Sequence, residues 1–344
     1  MSGGGKVRIA LVGAGGAMPV QGLSTGFDSA GSWGWQHARI FATRPDVEFC
    51  AIVGRDPAKT QAKAELFGVR PYVDVEEMLE KEKPDLVSLC LPNQEHFSAT
   101  LEVIRAGVPL LVEKPLVFDL GEAAELLEEA ERRGLFFAIN FNHRYAKPVE
   151  LAKAAMESGK IGELTFASWR FGGEGGPGHP HANLIETQCH GFDMLEHLCG
   201  PIESVMAEMT DKTGGGYRTL ILALKFANGA VGSLIGTYDS SYAYPDTHRV
   251  ELDGTKGRAV IHDTVRRYTY HPSGSEIGEV WEAGYFNDEG RDFHRTFHRH
   301  LDALLGALRS GQEPPIPARA GHRALRLADA AIRSYETGTR IRIE

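Results

Sequence analysis

Up to Phe141 the chain alternates short apolar runs with segments of helical periodicity, and few folds accept that rhythm. The apolar runs are Lys6–Val12, Phe49–Val53, Leu86–Leu91, Leu110–Val112 and Phe136–Phe141. Helical spacing fills Pro57–Phe67, Val75–Lys81, Phe97–Ala106 and Leu120–Arg133. Alternating strand and helix predicts an α/β Rossmann-type, doubly wound parallel sheet, whose strands are buried on both faces and so read as continuous apolar runs. Such sheets bind ligands just past the carboxyl ends of their strands. Those ends are where function is first sought.

The first strand runs directly into Gly13-Ala14-Gly15. This opens the dinucleotide fingerprint: a tight turn, then backbone bare enough to approach a pyrophosphate. The third glycine belongs at position 18, where Met18 stands. A stretch rich in Gly, Ser and Pro follows, from Gly16 to Gly31, and a helix then begins near Ser32, a suitable N-cap. The turn is therefore read as split by an insertion, with Gly34 in the third glycine's place. A second offset agrees. The ribose-reading residue normally lies about 20 residues past the fingerprint, and the end of the second strand is displaced by roughly the length of the insert. One hypothesis makes the insert a flap near the cofactor.

After Val53 comes Gly54-Arg55-Asp56. An acid at 54 would bind both ribose hydroxyls and repel a 2′-phosphate; glycine with Arg55 beside it leans the cofactor toward NADP over NAD. Asp56 either contacts the ribose or caps the helix that starts at Pro57. Leu91-Pro92-Asn93 and His96 lie past the fourth strand, and Asn142-His143-Arg144 past the last. Leu91, Asn93, His96, Asn142 and Arg144 are read as cofactor contacts. The strand Leu110–Val112 ends abruptly in Glu113-Lys114-Pro115. Pro115 holds Lys114 in an extended backbone, so its amine meets a ligand at a fixed distance.

From about Pro148 the pattern changes, and the chain is divided into domains at 1–135 and 136–344. A helix is read at Pro148–Ser158, then strands at Leu164–Phe171, Ile202–Met209, Tyr217–Phe226, Ala230–Tyr238, Val250–Leu252 and Arg258–His262. Asn228-Gly229 is a hairpin signal. Runs of strands predict an α+β domain with a large, open, mostly antiparallel sheet. Glu186 to Asp193 is read as one helix, which puts Glu186, His190 and Asp193 on one face. A carboxylate beside an imidazole is what an oriented general base requires. Asp193 is either a second orienting group or a structural partner. The spacing of His179, His181, His190, His197, Cys189 and Cys199 fits no standard zinc set, and no metal is expected. Gly172–Gly178 is read as a substrate cover. In the amphipathic helix Asp292–Leu308, His294, Arg295, His298, Arg299 and His300 are read as a solvated face, with one or two of them open to a reach toward the substrate. A helix at Gly321–Gly338 and a strand at Arg340–Glu344 close the chain.

The formal net charge of −9 argues against a general nucleic-acid or membrane partner. No apolar run approaches bilayer-spanning length, and no apolar segment of a signal peptide follows Lys6. A cytoplasmic protein is expected, with Cys50 and Cys90 as reduced core residues inside strands.

Four features together resemble the family of sugar and cyclitol oxidoreductases that includes glucose–fructose oxidoreductase and inositol dehydrogenase. They are the Gly13-x-Gly15 turn, Leu91-Pro92-Asn93 with His96, Glu113-Lys114-Pro115, and the His190 segment; the tail Pro315-Ile316-Pro317-Ala318 is also similar. The resemblance covers nearly the whole chain, and the Glu-Lys-Pro triplet is its most specific motif. It implies hydride transfer between a sugar or cyclitol hydroxyl and nicotinamide. It places Lys114 by the nicotinamide and the reacting hydroxyl, gives Glu113 a cofactor contact, and pairs Glu186 with His190 in catalysis. The family often has aspartate where Glu186 stands, and the split glycine turn departs from its usual pattern. The resemblance also makes the second sheet a substrate wall and the interface of a homodimer or homotetramer. Two rival readings come from relatives: NAD-assisted cleavage of a glycosidic bond through transient oxidation, and a non-enzymatic, nucleotide-responsive regulator. The Lys114/His190 pair argues against the regulator, because a sensor has no need of a proton acceptor.

Overall fold

The computed structural model describes residues 5–13, 33–175, 178–284 and 292–343. Gly15, the Gly16–Gly31 insert, Ser32, and Gly176-Pro177 of the glycine-rich segment lie outside the described residues. The chain forms two compact units, Met1–Asn140 with Leu301–His322, and Phe141–His300 with Arg323–Glu344.

In the first unit the order is β1 (Val7–Val12), α1 (Trp33–Thr43), β2 (Val47–Val53), α2 (Pro57–Phe67), β3 (Arg70–Tyr72), α3 (Val75–Glu82), β4 (Leu86–Leu89), α4 (His96–Arg105), β5 (Leu110–Val112), α5 (Leu120–Arg132) and β6 (Phe137–Ile139). The strands pair in parallel in the order β3-β2-β1-β4-β5-β6. Every residue of β4, β5 and β6 is buried, as a sheet covered on both faces requires. Asp56, Asp74 and Asp119 cap α2, α3 and α5 by accepting from backbone N–H groups in the first turn. Asp56 is thus the helix cap of the two roles open to it. β3, too short and too polar to read from the sequence, closes one edge. At the other edge the Ile316 carbonyl accepts from Ile139 N–H at 3.1 Å, and Ala318 N–H donates to the Phe137 carbonyl at 2.9 Å. The Pro315–Ala318 segment therefore covers the free side of β6, where an open edge invites unwanted pairing.

The second unit begins with α6 (Lys147–Glu157) and β7 (Leu164–Gly172), followed by α7 (Cys189–Cys199). Then come β8 (Ile202–Thr210), β9 (Thr219–Phe226), β10 (Val231–Thr237), β11 (His248–Gly254), β12 (Gly257–His262), β13 (Arg267–Pro272) and β14 (Glu279–Glu282). α8 (His294–Ser310), α9 (Arg319–Thr337) and β15 (Ile341–Arg342) end the chain. The nine strands run β14-β13-β12-β11-β7-β10-β9-β8-β15, antiparallel except for β7 with β10. One face is apolar and buried, through Leu220, Leu222, Leu224, Leu234 and Trp169, and α7 lies on it. A Cβ at Gly191 of α7 would meet Trp169 Nε1 at 2.6 Å, so glycine there permits the close approach.

Two expectations are corrected in this unit. Glu186–Asp193 is not one α-helix. Asn183–Thr187 forms a π-helical turn, in which Gln188 N–H reaches back five residues to the Asn183 carbonyl at 2.9 Å, and α7 starts only after it. The turn is anchored by the Gln188 side chain, which accepts from Trp169 Nε1 at 2.8 Å and donates to Asn183 Oδ1 at 2.9 Å. The regular i, i+4 relation between residues 186 and 190 is therefore lost. The basic face of α8 is not wholly solvated either: His300 is fully buried and stacks on Tyr145 at 5.0 Å.

Candidate active site

The strand order of the first unit reverses direction between β1 and β4, which is the switch point where doubly wound sheets take dinucleotides. Gly13 sits there with φ +89, and a Cβ on it would lie 2.3 Å from the Cys90 carbonyl oxygen. Only glycine satisfies both demands. Gly34 is buried at the second position of α1. Leu91, half-buried, lies against the same turn. These residues fit a dinucleotide: Gly13 makes the tight turn at the switch point that the fingerprint's first glycine serves.

Two observations bear on the ribose end. A Cβ at Gly54 would lie 2.5 Å from Thr60 Oγ1, so a side chain there requires Thr60 of α2 to shift. Arg55, whose side chain is 77% exposed, pairs with Glu95 at 2.6 Å. Its positive charge is partly spoken for before any phosphate arrives. His96 is buried; its Nε2 donates to the Leu91 carbonyl at 2.8 Å, and its Nδ1 lies 3.3 Å from the Leu116 carbonyl. It ties the loop after β4 to the loop after β5.

Past β5, Lys114 is half-buried and joined to Pro115 by a cis peptide. The preceding Glu113 is only 5% exposed. Its Oε1 accepts from His37 Nε2 at 2.8 Å and from Asn140 Nδ2 at 2.6 Å, and its Oε2 lies 3.3 Å from the Lys114 backbone nitrogen. Ser88 Oγ, in β4, is 2.8 Å from the other ring nitrogen of His37. Burial pushes the Glu113 carboxyl upward, but the His37 bond and charge, Asn140 and the nearby Lys114 outweigh it and hold it below its ordinary range. Burial and the Glu113 charge raise the neighbouring Cys90 thiol well above its usual value, so it stays protonated. His37, Cys90 and Glu113 place their donor atoms within 4.8 Å of one another. The His37–Glu113 contact of 2.8 Å is nevertheless that of a shared proton. Two ligands on one tetrahedral zinc lie about 3.3 Å apart.

The second unit carries His143, His190 and His248. His190, in the first turn of α7, is 6% exposed, and its ring stacks on His143 with centroids 4.0 Å apart and planes 12° off parallel. Phe141 meets the same ring edge-on at 5.7 Å. His143 in turn meets Phe293 and His248 edge-on. Burial lowers His248 to about 3, so it is neutral. Glu186 is half-buried in the π-helical turn. Both Asp193 oxygens go to Arg144, at 2.5 and 2.9 Å. Burial raises the Asp193 carboxyl against the pull of Arg144, yet short bidentate bonds are those of charged partners, and we assign an ion pair. Asp193 is therefore the structural partner of Arg144. Asn142, also buried, donates to Thr296 Oγ1 at 2.7 Å.

Sequence reasoning picked out Glu113, Lys114 and His190 but passed over His37, Ser88, Asn140 and His143. One signal was present: His37 is a polar residue at helical spacing between Trp33 and Phe41, and its ring meets both edge-on.

The two-part architecture is found in known proteins. Residues 7–141 match the oxidoreductase family's NAD-binding Rossmann fold, and residues 153–343 match its C-terminal alpha/beta domain. The chain is 25% identical to the D-glucoside 3-dehydrogenase of Escherichia coli K12, over 89% of this chain and 93% of that one. It is also 25% identical to the myo-inositol 2-dehydrogenase of Thermotoga maritima, over 94% and 99%. Its fold matches the crystal structure of an Agrobacterium radiobacter oxidoreductase in complex with NAD+, L-tartaric acid and magnesium, with a TM-score of 0.83 at 18% identity over 98% of each chain. No helix among the described residues is long and apolar enough to cross a membrane. The chain belongs to the Gfo/Idh/MocA family of oxidoreductases, with the NAD-binding Rossmann fold and the C-terminal alpha/beta domain of that family joined in one polypeptide.

Proposed function

We propose that this protein is an NAD(P)-dependent dehydrogenase that oxidises a CH–OH group of a sugar or cyclitol, with Lys114 and His190 handling the hydroxyl proton. The observation that carries the reading is Lys114, fixed at the carboxyl end of β5 by a buried carboxylate, on a sheet whose strand order and Gly13 turn suit a dinucleotide. The relatives named as glucoside and inositol dehydrogenases supply the substrate class.

Gly13 and Gly15 are assigned to the pyrophosphate, Arg55 to the ribose end, and Leu91 and Asn93 to the wall past β4. A bound dinucleotide supplies the hydride acceptor. The protein must then hold the substrate, place its hydroxyl oxygen and take the proton. His190 is assigned the proton. Its ring is fixed by stacking on His143, so no rotation is needed when the proton arrives. Lys114 is assigned the oxygen, where an ammonium donor stabilises developing negative charge. Glu186 is assigned to orient the substrate.

The test is absorbance of reduced nicotinamide with NAD or NADP and a panel of cyclitols, aldoses and anhydrosugars. A rise with one pair is expected. A flat trace across the panel, with dinucleotide shown to bind, overturns the reading in favour of glycosidic cleavage or regulation. The same assay addresses cofactor choice. Glu95→Gln removes the partner and the negative charge beside Arg55, so the kcat/KM ratio of NADP to NAD should rise about two- to fivefold, the modest change an exposed pair allows. An unchanged ratio removes Arg55 from 2′-phosphate recognition.

We further propose a homodimer or homotetramer formed through the outer face of the nine-stranded sheet. Ile221 and Val231 are 53% and 50% exposed there, on strands whose other face is fully buried. The double substitution Ile221→Glu, Val231→Glu should shift the sedimentation coefficient to that of a monomer. A wild-type protein that sediments as a monomer ends the proposal.

A further inference from the structure

The reading above leaves unexplained why a fully buried histidine on α1 is hydrogen-bonded to the carboxylate next to Lys114. His37 has no exposed surface. It lies 76 residues from Glu113 in sequence and comes from the helix that follows the dinucleotide turn. A histidine in such a place must satisfy both ring nitrogens without water. Here Ser88 takes one and Glu113 the other, each at 2.8 Å.

The carboxylate has its own demands. A buried charge stays only if its lone pairs are filled, and removing one partner leaves the rest uncompensated. Oε1 is filled by His37 and Asn140; this leaves Oε2 turned to the Lys114 backbone N–H. The direction of that second oxygen depends on the first being held. Two donors from different elements, α1 and the end of β6, pin Oε1 and so fix the carboxylate plane. A single donor would let it swing. Ser88 adds the last constraint: its hydroxyl at the far nitrogen fixes the ring, and with it the Nε2–H that points at Glu113.

We propose that His37 is a positioning residue for the oxidation: acting through Glu113, it fixes the backbone of Lys114 and hence the place of the Lys114 ammonium against the reacting oxygen. This rests on Lys114 being part of the chemistry. His37 itself touches neither substrate nor cofactor in this role.

The experiment is a double-mutant cycle of His37→Leu and Lys114→Ala, with His37→Gln as the conservative variant. His37→Leu keeps the bulk and removes the donor, so kcat should fall about 10–100-fold, the loss expected when a reacting group is misplaced by about 1 Å. NAD affinity, read by titration without substrate, should stay within about threefold. His37→Gln, whose amide reaches Glu113, should recover most of the lost kcat. In the Lys114→Ala background, His37→Leu should lower kcat no further, because the lysine it positions is gone. The same fold-loss in both backgrounds overturns the positioning role and leaves Lys114 in the mechanism. Unchanged kcat in Lys114→Ala alone overturns the underlying reading instead, and the proposal with it. If His37→Leu does not fold, Ser88→Ala replaces it in the cycle: it frees the ring and should give a smaller kcat loss, again absent without Lys114. No kcat loss in Ser88→Ala, or the same loss with and without Lys114, also sinks the proposal.

Discussion

His190→Ala should lower kcat by about 10²–10⁴-fold, the usual contribution of a positioned acid–base group, while NAD or NADP still binds with nearly wild-type affinity. The reasoning is chemical and local. His190 and the Phe141 and His143 rings that meet it belong to the second compact unit, and Gly13 belongs to the first. Its loss therefore removes a proton acceptor without touching the residues assigned to the pyrophosphate. Lys114→Ala should lower kcat and raise KM together, since a donor to the reacting oxygen helps hold the substrate as well as the transition state. Steady-state kinetics and a separate dinucleotide titration check both. Loss of dinucleotide binding in His190→Ala, or full turnover in either variant, would falsify the assignment.

Arg144→Met should destabilise the second unit by about 3–5 kcal/mol, the loss seen when one partner of a buried pair is removed. Asp193 is 6% exposed and has no other hydrogen-bond partner among the described residues. Stranded there, it must either stay charged without a partner or bind a proton. Burial already raises its pKa in the folded protein, and with Arg144 gone that rise is unopposed. A folded-state carboxyl raised above its unfolded value gives stability that is complete below the ordinary carboxylate range and lost as pH rises through the folded value. The deficit of Arg144→Met against wild type should therefore be smaller at acid pH than at neutrality. Urea melts at two pH values measure this. Arg144→Met with Asp193→Leu removes both charges and should recover most of the loss. A double variant as unstable as the single one would show that the arginine acts by packing alone.

The legible and illegible parts of this chain differ for physical reasons. Leu110–Val112 was read to the residue because a central parallel strand is apolar on both faces and its ends are abrupt. Arg267–Pro272 was not read: its buried residues are Tyr268, Thr269 and Tyr270, flanked by Arg267 and His271, and that mixture resembles a loop. Lys114 and Glu113 stood out because a charged pair at the end of an apolar run is unusual. Their supports did not, because a hydrogen bond across 76 residues leaves no periodicity behind. The same holds for Arg144 and Asp193, 49 residues apart. The π-helical turn was invisible for another reason. One extra residue in a short helix shifts the apolar stripe too little to notice, yet it ends the shared face that made Glu186, His190 and Asp193 look like one group.

The strip of chain that covers β6 has a consequence for how the protein is made. The ribosome releases β6 before β7 through β14, and its cover, Pro315–Ala318, only after them. At about 5–20 residues per second, the nascent sheet waits on the order of ten seconds or more with one side open. Everything that forms the nine-stranded sheet except its final strand, β15, is synthesised in that interval. A ribosome stalled between the two points would present a nearly finished Rossmann sheet with a bare strand at its rim, and so a natural site for a holding chaperone or for pairing with another nascent chain.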